Sequence, residues 1–175
     1  MISKFLGILN KVIYKFKFGN SISFDGIPGF ISHLQLYVKD GNIKIGKGFT
    51  IKRGVYIAAV NGGSINIGSN VSLNRNCILV SHKNITIGDN VAVGPNVVFY
   101  DHDHNFEFDG IKKGYKKSSI IINDNCWIGA NVTILRGTNI GEGCVIGAGC
   151  IIQGNIPPNS VVRTNREILI SPVSR

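Results

Sequence analysis

Residues 120–152 read IIINDNCWIGANVTILRGTNIGEGCVIGAGCII, and within them Ile122, Ile128, Ile134, Ile140, Ile146 and Ile152 fall six apart without a slip. Two positions before each lies an apolar or small companion: Ile120, Cys126, Val132, Thr138, Cys144 and Cys150. Toward the N-terminus the same pattern returns in three blocks: Ile45, Ile51, Ile57; Ile67, Leu73, Leu79; and Ile87, Val93, Phe99. Their companions are Ile43, Phe49, Val55, Ile65, Val71, Cys77, Ile85, Val91 and Val97. A helical period does not generate two sets offset by two and repeating by six. A strand does place residues i and i+2 on one face, and a turn must then restore the phase. Each hexapeptide therefore predicts one short strand with two inward side chains and a corner. Three of them close an 18-residue triangular coil, and stacked coils extend parallel sheets at a spacing of about 4.8 Å. The predicted fold class is an all-β parallel β-helix.

Gly46, Gly68, Gly88, Gly94, Gly129, Gly141 and Gly147 each follow an inward aliphatic residue, where tight or left-handed backbone is expected at a corner. The register takes in four extra residues between Ile57 and Ile67, two between Leu79 and Ile87, and seventeen between Phe99 and Ile122. The last excursion holds DHDHNFEFDGIKKGYKK and is read as an active-site loop over residues 100–119, because a long loop inside a compact repeat domain usually serves a function.

Composition agrees with this reading. At 175 residues the chain fits one substantial core. Twenty-two glycines with only five prolines and 43% apolar residues describe a turn-rich β protein, not a collagenous or disordered one. A net charge of +9 favours anionic partners, such as a phosphorylated cofactor, an acidic glycan or a membrane face. With no recognisable motif or aromatic platform for it, nucleic acid is not an expected partner. Cys77, Cys126, Cys144 and Cys150 occupy the small inward lattice with no CxxC pair, which predicts buried free thiols and a reducing compartment.

Residues 1–19, MISKFLGILNKVIYKFKFG, predict an amphipathic helix with Phe5, Leu6, Leu9, Val12, Ile13 and Phe16 at near-helical spacing and Lys4, Lys11, Lys15 and Lys17 between them. They contain no transmembrane span and no secretory signal pattern. Such a helix suits packing on the domain or a neighbouring copy, or reversible contact with a membrane surface. The expected organisation is a helix over 1–19, a β-helix domain over 20–160 and a tail over 161–175.

His102 and His104 stand at the start of the excursion, where a coil wall hands side chains to a cleft. An imidazole beside an acceptor hydroxyl is a general base near neutral pH. Asp101 and Asp103 either orient an imidazole or are solvated. Lys112, Lys113, Lys116 and Lys117, with Tyr115 among them, either meet an anionic ligand or keep the loop soluble.

The stretches IGDNVAVGPNVVFYDHDHNF and INDNCWIGANVTILRGTNIGEGCVIGAGCIIQGNIPPNSVV, with the excursion between them, resemble the hexapeptide-repeat acyltransferases. The likeness covers roughly residues 40–160. It is greatest to the maltose and galactoside O-acetyltransferases and to enzymes that acetylate bacterial surface polysaccharides. It implies a left-handed prism, a homotrimer with active sites between subunits, and acetyl-CoA as acyl donor. The family's base maps onto His104, with His102 the runner-up, and Asn105 replaces the proline that usually follows. Asn74, in NRN, maps onto an asparagine that helps fix the reacting groups. Trp127, in CWIG, maps onto a tryptophan near the acceptor, and Tyr115 and Lys113 are the further acceptor-binding candidates. Gly129, Ala130, Gly147 and Ala148 map onto the corners along which acetyl-CoA lies. Arg163 and Arg166 are candidates for its phosphates, although the ending VVRTNRE departs from the family's usual one.

The expected function is therefore O-acetyl transfer from acetyl-CoA to a sugar hydroxyl of a capsular, exopolysaccharide or lipopolysaccharide glycan or its precursor, in the cytoplasm, with contact to the inner face of the membrane through residues 1–19. The alternatives are an acetyltransferase for a small soluble sugar or a nucleotide-linked amino sugar, and a non-enzymatic glycan-binding β-helix. A metal-dependent hydratase on the same fold would need three converging histidines. His82, His102 and His104 do not have its spacing, so no metal is expected.

Overall fold

The two lattices become vertical stacks. Ile43 pairs with Ile65, Ile65 with Ile85 and Ile85 with Ile120, while Phe99 lies between Leu79 and Ile134. A computed structural model of the chain describes residues 2–26 and 34–165. Among these residues three parallel sheets of seven, six and six strands form the walls of a triangular solenoid, and a fourth, two-stranded sheet projects from it. This architecture is consistent with the left-handed β-helix of the acyltransferases. Every residue of both lattices is buried, and together they form one continuous core. Thr138, the one hydroxyl in the lattice, donates to carbonyls of Leu135 and Ile152. The four cysteines are buried free thiols, and burial pushes Cys77 up to about 11.

The corners divide the labour differently from the expectation. The seven glycines that follow inward residues do not have positive φ. Left-handed backbone falls two residues later, at Asn70, Asn76, Asn90, Asn96, Asn125, Asn131 and Asn159 or at Gly48, Gly54, Gly137, Gly143 and Gly149. The asparagine amides bond up the stack, as in Asn76 to Asn96 at 3.2 Å and Asn96 to Asn131 at 3.0 Å. Glycine is needed one step after the inward residue for closeness: a Cβ on Gly129 would lie 2.7 Å from the Ala148 nitrogen.

The solenoid reaches further than the repeats reveal. Ile22 and Phe24 stack beneath Ile43 and Ile45. At the other end Ile156 stacks on Ile140, and Val161–Val162 still pairs with Val145–Ile146, so the last coil enters the segment assigned to the tail. The helix Ile2–Phe18 packs against the first coil through half-buried Tyr14 and Phe18. The Tyr14 hydroxyl donates to the Leu34 carbonyl at 2.5 Å, and Lys11 donates to Phe24 and Gly26 carbonyls. Its apolar stripe does not pack on the domain: Ile8, Leu9, Val12, Ile13 and Phe16 are exposed. The side chains of Lys4, Phe5 and Leu6 lie outside the described residues. No described helix is long and apolar enough to cross a membrane.

Candidate active site

The expansions after Ile57, Leu79 and Phe99 open at the same corner, because those three residues are stacked neighbours in one sheet. Asn61, His82 and the start of the long excursion are thereby brought together. The excursion is not an irregular loop. His102–Glu107 and Gly110–Lys117 form an antiparallel hairpin, with His102 opposite Lys117 and His104 opposite Tyr115. Facing residues and residues two apart share a side of a ribbon, so His102, His104, Tyr115 and Lys117 form one face. The register shifts at His104/Asn105, where Lys113 and Gly114 have no opposite residue and Gly114 has φ +92°. A bulge of this kind bends the ribbon just beyond the histidines.

At the root of the hairpin the Asp101 side chain is fully buried. It bonds the His102 Nδ1 at 3.1 Å, so of the two acidic candidates Asp101 is the one that orients an imidazole. Asp103 instead forms an ion pair with Arg136 of the following coil. His82 stacks on His102 with ring centroids 3.8 Å apart. Burial lowers the His82 pKa below its ordinary value, and the neighbouring His102, Lys117 and His104 charges lower it further, against an opposing effect of Asp101. His104 is exposed, with the Tyr115 ring centroid 5.1 Å away. His82 and His102 meet face to face, and among the described residues no three His, Cys, Asp or Glu side chains converge as metal ligands.

The other candidates lie along a different part of the prism. Gly94, Gly129 and Gly147 stack at one corner: a Cβ on Gly94 would lie 2.8 Å from the Ala130 nitrogen, and one on Gly147 would lie 3.4 Å from the Arg163 Cβ. Gly129, Ala130, Gly147, Ala148 and exposed Arg163 thus line a single edge, a smooth run of backbone ending in a guanidinium. Arg166 lies outside the described residues. Trp127, between Ala92 and Val145 in the neighbouring sheet, turns outward and is 58% exposed. Asn74 follows Leu73 on that same sheet, and its side-chain oxygen accepts from the Arg75 amide at 2.8 Å. Within one chain, no hydrogen bond or ring contact joins Asn74 or Trp127 to the histidine face.

The sequence pointed to His82 only as a metal ligand to be set aside, and to Ser81 and Arg136 not at all. The signal for the first two was the two-residue expansion that contains them, which falls at the corner where the hairpin emerges one coil later.

Residues 119–153 match a family described as the hexapeptide repeat of succinyl-transferase. An Escherichia coli K12 protein, WbbJ, assigned to lipopolysaccharide biosynthesis as an O-acetyl transferase, is 32% identical over 143 residues, covering 75% of this chain and 73% of WbbJ. Other bacterial acetyltransferases, 43–44% identical over 105 residues, are spanned over 53% of their own length. Among solved structures, a maltose O-acetyltransferase from Clostridium difficile 630 is 30% identical with a TM-score of 0.52, covering 79% of this chain and 64% of that one. AntD, an N-acyltransferase from Bacillus cereus solved with dTDP-4-amino-4,6-dideoxyglucose and coenzyme A, has the same fold at 19% identity, with a TM-score of 0.70 over 90% of this chain and 87% of AntD.

Proposed function

Because the chain belongs to the hexapeptide-repeat acetyltransferase family, we propose that it transfers acetyl from acetyl-CoA to a hydroxyl of a small sugar, free or carried on a nucleotide. The observation that carries this reading is the histidine face of the hairpin, held at its root by buried Asp101 and offering an exposed imidazole. His104 is the base, because a group that exchanges a proton with an incoming hydroxyl must be reachable, whereas His102 is covered by the His82 ring and only 14% of its side chain is exposed. The His104 imidazole takes the acceptor's hydroxyl proton as the oxygen attacks the thioester carbonyl. The tetrahedral intermediate then expels the thiolate of CoA, which receives that proton from the imidazolium.

The glycine edge supports a place for acetyl-CoA. A corner without side chains lets an extended ligand lie against backbone N–H and C=O groups of Gly129, Ala130, Gly147 and Ala148, with Arg163 available to a phosphate. Trp127, Tyr115 and Lys113 are proposed to meet the acceptor, and Asn74 to help align it. Since Asn74 and Trp127 lie on another sheet from the hairpin, the complete site is proposed to form between copies in a homotrimer. The exposed stripe on the helix supports a further reading, reversible contact with an anionic membrane surface from the cytoplasmic side.

On the acceptor, the comparisons favour the small-sugar alternative over the capsular, exopolysaccharide or lipopolysaccharide glycan or precursor expected from sequence. The solved enzyme at 30% identity acts by name on maltose, and the same fold in AntD accommodates a nucleotide-linked sugar. The test is an acetyl-transfer screen against maltose, galactosides, nucleotide sugars and acidic oligosaccharides, read by mass spectrometry, with His104→Ala and His102→Ala beside the wild type. Acetylated small sugars, with turnover reduced about 100-fold or more in His104→Ala, are expected. Product from the acidic oligosaccharides alone would overturn the acceptor class, and two fully active histidine variants would overturn the mechanism.

A further inference from the structure

Asp101 is 0% exposed, and each of its oxygens is used twice. Oδ1 accepts the His82 backbone N–H at 2.8 Å and His102 Nδ1 at 3.1 Å, while Oδ2 accepts the Ser81 hydroxyl at 2.7 Å and the Lys83 N–H at 2.8 Å. A carboxylate only accepts, so the proton of neutral His102 sits on Nδ1 and its Nε2 is left bare. The Asn61 amide nitrogen approaches His82 Nδ1 at 3.5 Å, a long contact in which the amide donates. From these two imidazoles the rings continue outward. Tyr115 meets His82 at 4.4 Å, His102 at 5.2 Å and His104 at 5.1 Å between centroids. One unbroken run of side chains thus joins a fully buried carboxylate to the exposed imidazole.

That run answers a mechanical difficulty. An isolated two-stranded hairpin is marginally stable in water, yet a base displaced by about 1 Å loses much of its effect. On the other face of the hairpin Asp103 is held by Arg136, which secures the root without touching the rings.

We propose that Asp101 and His82 are positioning residues that fix His102, and that Tyr115, besides meeting the acceptor, carries that order to His104. The inference rests on the assignment of His104 as base. Its test therefore includes a measurement that needs no turnover.

In the ¹⁵N-labelled full chain, ring-nitrogen correlations report the tautomer and mobility of each histidine without substrate. The expected spectrum shows His102 protonated on Nδ1 and a single narrow set of signals for His104. Asp101→Asn should mix the His102 tautomers, and His82→Ala and Tyr115→Ala should broaden His104. With maltose as probe acceptor, the two alanine variants should lose about 10- to 100-fold in kcat at unchanged KM for acetyl-CoA. His82→Phe and Tyr115→Phe, which keep a ring in place, should restore most of it. His102 protonated on Nε2 in the wild type, or alanine variants with wild-type His104 signals, would overturn the proposal. If the wild type shows no acetyl transfer, the functional reading falls, and the ring-nitrogen spectra still decide the positioning.

Discussion

Replacing Asp101 by alanine should cost far more stability than replacing Asp103, two residues away, and the difference can be worked from their partners. Without the Asp101 carboxylate the backbone N–H groups of His82 and Lys83 lose their acceptor at the hairpin root, while the Ser81 hydroxyl can turn to the Ser64 carbonyl, 2.9 Å away. The buried His82 N–H, left unsatisfied, costs about 1–3 kcal/mol, and the part-buried Lys83 N–H adds a smaller amount. That is a large fraction of the roughly 5–15 kcal/mol that holds a domain together. Asp103 pairs with Arg136 across a surface where their side chains are 46% and 30% exposed, and such a pair is worth about 0–1 kcal/mol. Urea unfolding followed by circular dichroism measures both variants. Because a solenoid loses structure by neighbouring coils, amide exchange at His82 and Lys83 should show the local opening first. An Asp101→Ala variant within about 1 kcal/mol of wild type, with both amides still protected, would refute the claim that this carboxylate anchors the hairpin.

The remaining expectations concern other parts of the prism. The folded His82 has a lowered pKa, so the stability its neutral ring contributes is fully present above its ordinary value of about 6.5 and is lost as pH falls through the folded value. The groups facing it are His102, His104, Lys117, Asp101 and Tyr115. His82→Phe should flatten this slope in urea midpoints taken from pH 7.5 to 5, and an unchanged slope would place the acid sensitivity elsewhere. Gly129→Ala should destabilise by about 1–3 kcal/mol, since its Cβ would lie 2.7 Å from the Ala148 nitrogen; thermal melting would show a neutral result if the coils can part. Light scattering should give three times the chain mass, and a monomer retaining full activity would remove the proposed inter-chain site. Phe16→Glu, at a 94% exposed position, should weaken sedimentation with anionic vesicles, and equal sedimentation would dismiss the helix stripe as the contact.

The sequence by itself determined the repeating unit. Inward residues at a six-residue period, with companions two positions earlier, permit one arrangement of strand and corner, and all of them are buried where that arithmetic puts them. The period is a local property, carried by which side of each strand a residue occupies. The left-handed corners are also written in the sequence, as an asparagine or glycine three residues after an inward aliphatic, such as Asn70 after Ile67 and Gly48 after Ile45. His102 and His104 were legible from their place at the start of the longest excursion, but not as neighbours on one strand of a hairpin. Their surroundings were not, because those are set by stacking between coils whose lengths differ. The carboxylate of Asp101 meets Ser81, His82 and Lys83 about twenty residues back, and Arg136 reaches Asp103 from thirty-three residues ahead. Such distances along the chain become contacts only when the successive expansions pile onto one corner. Which imidazole is covered and which is exposed was likewise decided in three dimensions. The alternation of the hairpin puts both on one face, but only the shelf formed by the preceding coil's expansion lies against His102 and stops short of His104.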